Sequence, residues 1–232
     1  VSNFNNNIAL VLNNQAYYFI DKNDNNIFNT TYAFSRNFSD GLAFVQREKN
    51  DKIEAINIDG STAFILENKE IIDIKDFSEG RSVIRQKINS SEYKWFIIDN
   101  KGEVVNGGFD AITSFNDEIA FYGVKNNGQN KWGILDSNGN ILTEAIFHNV
   151  AINSKVYYCA SILDGNGNEK WGYISKNGAF VIPPSFDLVA PFCNNYGIVA
   201  IKSSQGYKWG AINNLGNIII ECKYDMIYSF NH

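Results

Sequence analysis

Histidine, cysteine and carboxylate side chains carry out most acid–base, nucleophilic and metal chemistry in proteins. The chain of 232 residues has only two histidines, His148 and His232, and its three cysteines show no CxxC or Cys/His spacing. A Ser-His-Asp triad or a zinc site needs several such groups in convergent positions. We therefore predict no catalytic residues, no metal ligands and no cofactor.

Two polar segments have oxygen-bearing side chains at alternate positions, as at the start of a calcium-binding loop. They begin at Asp164 and at Asp21. Neither has a later glutamate at the EF-hand spacing, so a polar turn is the favoured interpretation. Three further aspartates recur at one place of a repeat, which favours turn capping over the paired carboxylates of a glycosidase: Asp110, Asp187 and Asp225.

Composition restricts the classes of partner. The net charge is -5 at pH 7 and the lysines are dispersed, so the chain lacks the basic field that nucleic-acid binding requires. No apolar run approaches the roughly 18 residues of a membrane-spanning helix. Aromatic residues make up 14% of the chain, and β-forming segments alternate with Asn- and Gly-rich turns, which predicts an all-β protein.

The elements themselves repeat along the chain. A turn opened by Asp, Asn or Ser and closed three residues later by Gly recurs about every 38 residues. The closing position favours glycine because the chain there needs positive φ to form a hairpin. We predict this backbone conformation for the glycines of the last four turns: Gly102, Gly139, Gly178 and Gly216.

A strand precedes each turn and begins with an aromatic residue in the later copies. The stretch KWGILDSNGNILTE, residues 131 to 144, is typical of them. A large side chain at one fixed place per unit is expected to supply the contact between units, because a unit this short cannot bury its apolar face alone. The predicted structural residues are Trp95, Trp132, Trp171 and Trp209.

The residues beside the tryptophan have predicted structural roles as well. Glycine inside a strand indicates close packing above it, as at Gly133, Gly172 and Gly210. The preceding lysines are expected to cover aromatic surface with their aliphatic stems.

The Lys-Trp-Gly triplet, the turn after it and an F-D-x-I-like segment resemble the WG-repeat family of bacterial proteins, also called KWG repeats. The resemblance covers essentially the whole chain, although the first two copies lack Trp-Gly and Trp95 is followed by Phe96. It implies an exported or cell-surface bacterial protein without a shared catalytic motif.

We predict a single domain over residues 1–232, with six units at approximately 4–37, 38–76, 77–114, 115–151, 152–191 and 192–232. Two arrangements fit. A six-bladed β-propeller-like ring removes exposed sheet edges, whereas an open solenoid of β-hairpins needs capping at both ends. The whole number of units favours the ring.

The predicted function is a non-enzymatic binding or scaffold domain that presents a repeat-built surface to another protein. A carbohydrate or cell-envelope binding module is the alternative, because exposed aromatics such as Tyr93 and Tyr207 suit sugar stacking. A glycosidase-like propeller rests on fold analogy alone.

Overall fold

The structure is a computed structural model that describes residues 1–67, 70–151 and 157–228. Regular structure in these residues consists of β-strands alone, so the all-β prediction is confirmed. His232 and the start of the predicted unit at residue 152 lie outside the described residues.

The chain divides into two compact units. The first contains Val1–Ala120 and Ser137–Gly139, and the second contains Phe121–Asp136 and Asn140–His232. The extent of the predicted single domain, residues 1–232, stays a prediction.

The first unit holds three successive sheets. A two-stranded sheet is followed by two sheets of four strands. Their strands are β1 (Ala9–Asn13) and β2 (Ala16–Ile20); β3 (Phe34–Ser35), β4 (Leu42–Gln46), β5 (Ile53–Asn57) and β6 (Thr62–Leu66); and β7 (Ile71–Ile74), β8 (Arg81–Lys87), β9 (Tyr93–Asp99) and β10 (Val104–Phe109).

Three further sheets of four strands follow along the chain, and the last two lie entirely in the second unit. Their strands are β11 (Ala111–Ile112), β12 (Ile119–Asn126), β13 (Gln129–Asp136) and β14 (Ile141–Phe147); β15 (Asn149–Ala151), β16 (Tyr158–Leu163), β17 (Glu169–Ile174) and β18 (Phe180–Phe186); and β19 (Leu188–Val189), β20 (Tyr196–Ser203), β21 (Gly206–Asn213) and β22 (Ile218–Tyr224).

Each four-stranded sheet is an antiparallel meander whose strand order follows the chain. This is the construction of a β-propeller blade, so the fold is propeller-like at the level of its sheets. The closing of the sheets into a ring stays a prediction.

The sheets are offset from the sequence units. The short segment predicted to end each unit forms the first strand of the next sheet, as with β3, which pairs with β4. Only Asp110 separates β10 from β11, and only Asp187 separates β18 from β19. The chain therefore passes between sheets at the residue after the aromatic, and not at the phenylalanine that opens each predicted unit.

Apolar cores lie between successive sheets. In the first unit the rings of Phe44 and Phe77 stack at 4.9 Å between centroids. In the second unit Tyr173 and Phe192 meet edge to face at 4.7 Å. Phe77 and Phe192 open predicted units, and both belong to the apolar cores between sheets.

The glycines of the last four turns all have φ of 81°, as predicted from their positions. In the turns of Gly102, Gly178 and Gly216 the glycine N–H donates a hydrogen bond to the carbonyl of the residue that opens the turn, for example Gly178 to Ser175 at 2.9 Å. A residue with a Cβ is strained at this φ, which explains the recurrence of glycine.

Candidate functional site

The repeat tryptophans lie within their own sheets. Each is placed on the third strand opposite the final aromatic of the outer strand, as in the pairs Trp171–Phe186 and Trp132–Phe147. All four are half-buried: Trp95, Trp132, Trp171 and Trp209. Trp171 also packs against the apolar core that Tyr173, Phe192 and Val199 form between the last two sheets, so the role of the tryptophans as core residues between units stays a prediction.

Cations cover Trp95, but they are not the lysine of the triplet. Lys75 Nζ lies 5.1 Å from the ring centroid, and the Arg85 guanidinium lies 6.0 Å from it. Burial lowers the pKa of Lys75, and its ammonium donates to the carbonyl of Ile112 at 2.7 Å. A cation over an indole face is a stabilising contact.

The glycine after tryptophan gives room to the outer strand of the same sheet. A Cβ added at Gly172 would lie 2.5 Å from the carbonyl oxygen of Ile182 in β18. The pairing of β17 with β18 shifts register at this point. The predicted close packing above Gly172 is thus found, and the group that needs the room is the backbone of the outer strand in the same sheet.

The copy that lacks this glycine has a compensating one. Phe96 stands where other copies have glycine, and it pairs with Gly107 on the outer strand β10. A Cβ added at Gly107 would overlap the Phe96 ring. Either the third strand or the outer strand therefore supplies the small residue at this crossing.

The triplet lysine pairs with the aspartate that follows the outer-strand aromatic, which the sequence analysis did not predict. We call each such pair a Lys–Asp clasp. The nitrogen-to-oxygen distances are 2.7 Å for Lys94–Asp110, 2.6 Å for Lys170–Asp187 and 2.5 Å for Lys208–Asp225. The copy that begins at Lys131 has His148 at the aspartate position. The common occurrence of lysine and aspartate within a copy was the signal available in the sequence.

The turn glycines make the contact between successive sheets that was expected of the tryptophans. In the second unit a Cβ at Gly216 would lie 3.2 Å from Ile182 of the preceding sheet. Thr143 Oγ1 donates to the carbonyl of Asn177 at 2.7 Å, beside Gly178. The hairpin turn of one sheet thus packs on the outer strand of the sheet before it.

Comparison with known proteins agrees with this repeat architecture. The WG-containing repeat matches residues 19–52, 171–204 and 209–232. The chain carries WG repeats. The family resemblance is thereby confirmed for these three segments.

Solved structures resemble the WG-repeat chain in fold alone. A eukaryotic initiation factor is 10% identical with a TM-score of 0.58, covering 96% of this chain and 64% of that one. The β-propeller domain of the Trilobed protease from Pyrococcus furiosus is 11% identical with a TM-score of 0.43, covering 93% and 80%. The chain thus spans about two-thirds of the initiation-factor chain. No curated protein matches its sequence.

The remaining candidate residues belong to polar turns with internal hydrogen bonds, or they are single side chains without a cluster of chemical groups around them among the described residues. Asp164 accepts hydrogen bonds from the backbone N–H groups of Asn166 and Asn168, so this segment is a closed polar turn. The Nδ1 atom of His148 is buried without a partner in the part of the chain that is described. Within the same residues no three His, Cys, Asp or Glu side chains cluster as metal ligands.

The cysteines are free thiols: Cys159, Cys193 and Cys222. Burial raises the pKa of the Cys159 thiol to about 12, so this side chain stays protonated and unreactive at neutral pH. As for membrane contact, no helix among the described residues has the length and hydropathy to cross a bilayer.

The last sheet of the WG repeats has an exposed outer strand, unlike its equivalents. The final aromatic of the outer strand is 0% exposed at Phe147 and 6% exposed at Phe186, but 47% exposed at Tyr224. Ile182 is buried under Gly216, whereas Ile220 at the same place of β22 is only half-buried.

Further large apolar side chains are exposed along β22 and its flanks. We call the set the outer edge of the last sheet, and it consists of Leu215, Ile218, Ile219, Tyr224, Met226 and Tyr228. Together they form the longest exposed apolar sequence along any described strand and its flanks. Contiguous exposed apolar surface is a feature that interaction sites share.

Proposed function

We propose that the chain is a non-enzymatic WG-repeat scaffold that binds another protein through the outer edge of its last sheet. The exposure of Tyr224, set against the burial of Phe147 and Phe186 at the equivalent position, carries this proposal. The equivalent aromatics are buried, so the exposed outer edge has the apolar chemistry of an interface.

The packing inside the chain indicates the chemistry of the partner. An outer strand is covered by a hairpin turn of the next sheet, with a glycine over an aliphatic side chain, as for Gly216 on Ile182. We therefore propose a partner that presents a β-hairpin turn and apolar side chains to Ile220 and Tyr224. The nearby charges are mixed, because Glu221 and Lys223 alternate with these residues, so apolar contact dominates over charge steering.

Paired charge substitutions test the proposal. The full chain is immobilised, and proteins captured by the wild type are compared with those captured by the double variant Ile219→Glu, Tyr224→Glu. Val104→Glu is the matched control, because Val104 is an equally exposed apolar residue on the outer strand β10. A glutamate in a desolvated interface has a large free-energy penalty, so the double variant should lose the captured protein.

Thermal unfolding measurements distinguish a variant that has lost binding from one that has lost its fold. All three positions are exposed, so the variants should unfold within a few degrees of the wild type. Loss of the same captured protein in the Val104→Glu control, or its retention by the double variant, would show that the outer edge is not the interface.

A further inference from the structure

A cleft of about 480 Å³ lies in the second unit between its last two sheets. One wall comes from β17 and the connection after β18, and the other comes from β20 and β21. The lining residues that matter here are Glu169, Lys170, Asp187, Ile201, Lys202 and Tyr207. The cleft is separate from the outer edge of the last sheet, since none of its lining residues belongs to that edge.

The polar wall contains a carboxylate held in one orientation. Asp187 Oδ1 accepts from Lys170 Nζ at 2.6 Å, and Asp187 Oδ2 accepts from the backbone N–H of Lys202 at 2.7 Å. Burial alone would raise the pKa of Asp187, but these two hydrogen bonds outweigh it and hold the pKa below its usual range. The group is therefore an ionised acceptor at neutral pH.

The second carboxylate is held in a similar way. Glu169 Oε1 accepts from Ser161 Oγ at 2.6 Å and from Asn149 Nδ2 at 2.8 Å. Ser161 is fully buried, so this hydrogen bond is shielded from water. Both carboxylates are thus oriented before any ligand arrives, which lowers the entropy lost on binding.

The opposite wall is apolar and aromatic. Tyr207 is 43% exposed, and Ile201 and Leu188 lie with it along the cleft. An exposed tyrosine ring offers a flat apolar surface with a hydroxyl at its tip. The two walls together place hydrogen-bonding groups opposite an aromatic face.

We propose that this cleft binds a neutral saccharide. A sugar ring has an apolar face of C–H groups, which packs on an aromatic ring, and hydroxyls at its rim, which donate to carboxylates and accept from ammonium groups. Two lysines balance two carboxylates in the lining, so a charged ligand gains little net electrostatic attraction.

Asp187 does not have the properties of the acid in a glycoside hydrolase. Glycoside cleavage requires a carboxylic acid that stays protonated to donate to the leaving oxygen. Asp187 has the opposite property, because its hydrogen bonds favour the ionised form.

Titration calorimetry of the full chain tests the proposal with named probes. The neutral probes are cellohexaose, xylohexaose, maltohexaose and chitohexaose, and the anionic probe is hexagalacturonate. We expect a neutral probe to bind, and Tyr207→Ala to weaken its binding by at least about tenfold because the aromatic platform is lost. Tyr207→Phe keeps the ring and should retain most of the affinity.

Tyr196→Ala is the matched control, because Tyr196 is 40% exposed on the same sheet but does not line the cleft. It should bind like the wild type, and thermal unfolding should show that all variants are folded. Binding of hexagalacturonate alone, binding unchanged by Tyr207→Ala, or no binding of any neutral probe would each overturn the proposal. None of these outcomes bears on protein capture by the outer edge, so the two proposals fail separately.

Discussion

Replacing Gly172 by alanine tests how the WG repeat builds its sheet. A Cβ at this position would lie 2.5 Å from the carbonyl oxygen of Ile182, 2.8 Å from the nitrogen of Pro184 and 2.9 Å from the carbonyl carbon of Pro183. All three are backbone atoms of β18, so no side-chain rotation relieves the overlap. Reaching an ordinary contact of 3.4 Å requires a movement of about 0.9 Å, from 2.5 to 3.4 Å, at the closest point.

The expected loss of stability follows from this overlap. Overpacking of this kind reduces stability by about 1–3 kcal/mol, and the lower chain entropy of alanine in the unfolded state offsets less than 1 kcal/mol of it. We predict that Gly172→Ala lowers the free energy of unfolding by about 2 kcal/mol. For a chain of this length that corresponds to a fall of roughly 4 to 8 °C in the thermal midpoint.

Gly165→Ala is the matched control for the same substitution. Gly165 has no atom within 4 Å of an added Cβ, and its φ lies outside the positive range. Its free energy of unfolding in urea should stay within about 0.5 kcal/mol of the wild type. Equal stability of Gly172→Ala and Gly165→Ala would refute the explanation that Gly172 makes room for the backbone of β18.

Three further predictions concern other parts of the repeat. Trp171→Ala should lower the free energy of unfolding by about 2 to 3 kcal/mol, less than for a fully buried aromatic, because Trp171 is half-buried; an unchanged midpoint in thermal unfolding would contradict its structural role. Gly139→Ala should lower it by about 1 kcal/mol in urea unfolding because φ is 81°, and no loss would show that the turn relaxes. Asp187→Asn should lower it by about 1 kcal/mol at pH 7. The folded-state pKa of Asp187 is lowered, so this difference should be present above the unfolded pKa near 3.9 and disappear as the pH falls through the folded value; a pH-independent difference in urea unfolding would exclude the clasp with Lys170 as its cause.

Local features of the fold were predictable from sequence because they depend on short-range chemistry. A turn opened by Ser175 and closed by Gly178 needs only hydrogen bonding within four residues and a positive φ. The strand before it follows from apolar and β-forming residues. These requirements recur in each copy, so self-similarity was sufficient to locate the strands and turns.

Contacts that depend on register were not predictable in the same way. Trp171 was expected between units, and the pairing of β17 with Phe186 in β18, which the period does not give, adds a contact within its own sheet. The Lys170–Asp187 clasp joins residues 17 apart that meet only when the outer strand bends back. A period read along the chain gives the spacing of such residues without the face of the sheet on which they lie.

The two proposed surfaces needed the structure for a different reason. Tyr224 occupies the same repeat position as Phe186, and only exposure distinguishes the two. Tyr207 was recognised in the sequence as an aromatic suited to stacking, but the carboxylates opposite it come from another sheet. Repeat symmetry conceals such differences, because it assigns the same role to every copy.

Hydrogen–deuterium exchange of the full chain with and without its captured protein tests the central claim most directly. The proposal predicts slower amide exchange in peptides covering residues 215–228 when the protein is bound. Peptides of the equivalent outer strand β18 (Phe180–Phe186) should exchange at the same rate in both states. Protection elsewhere with unchanged exchange at 215–228 would contradict the assignment of the outer edge as the binding surface.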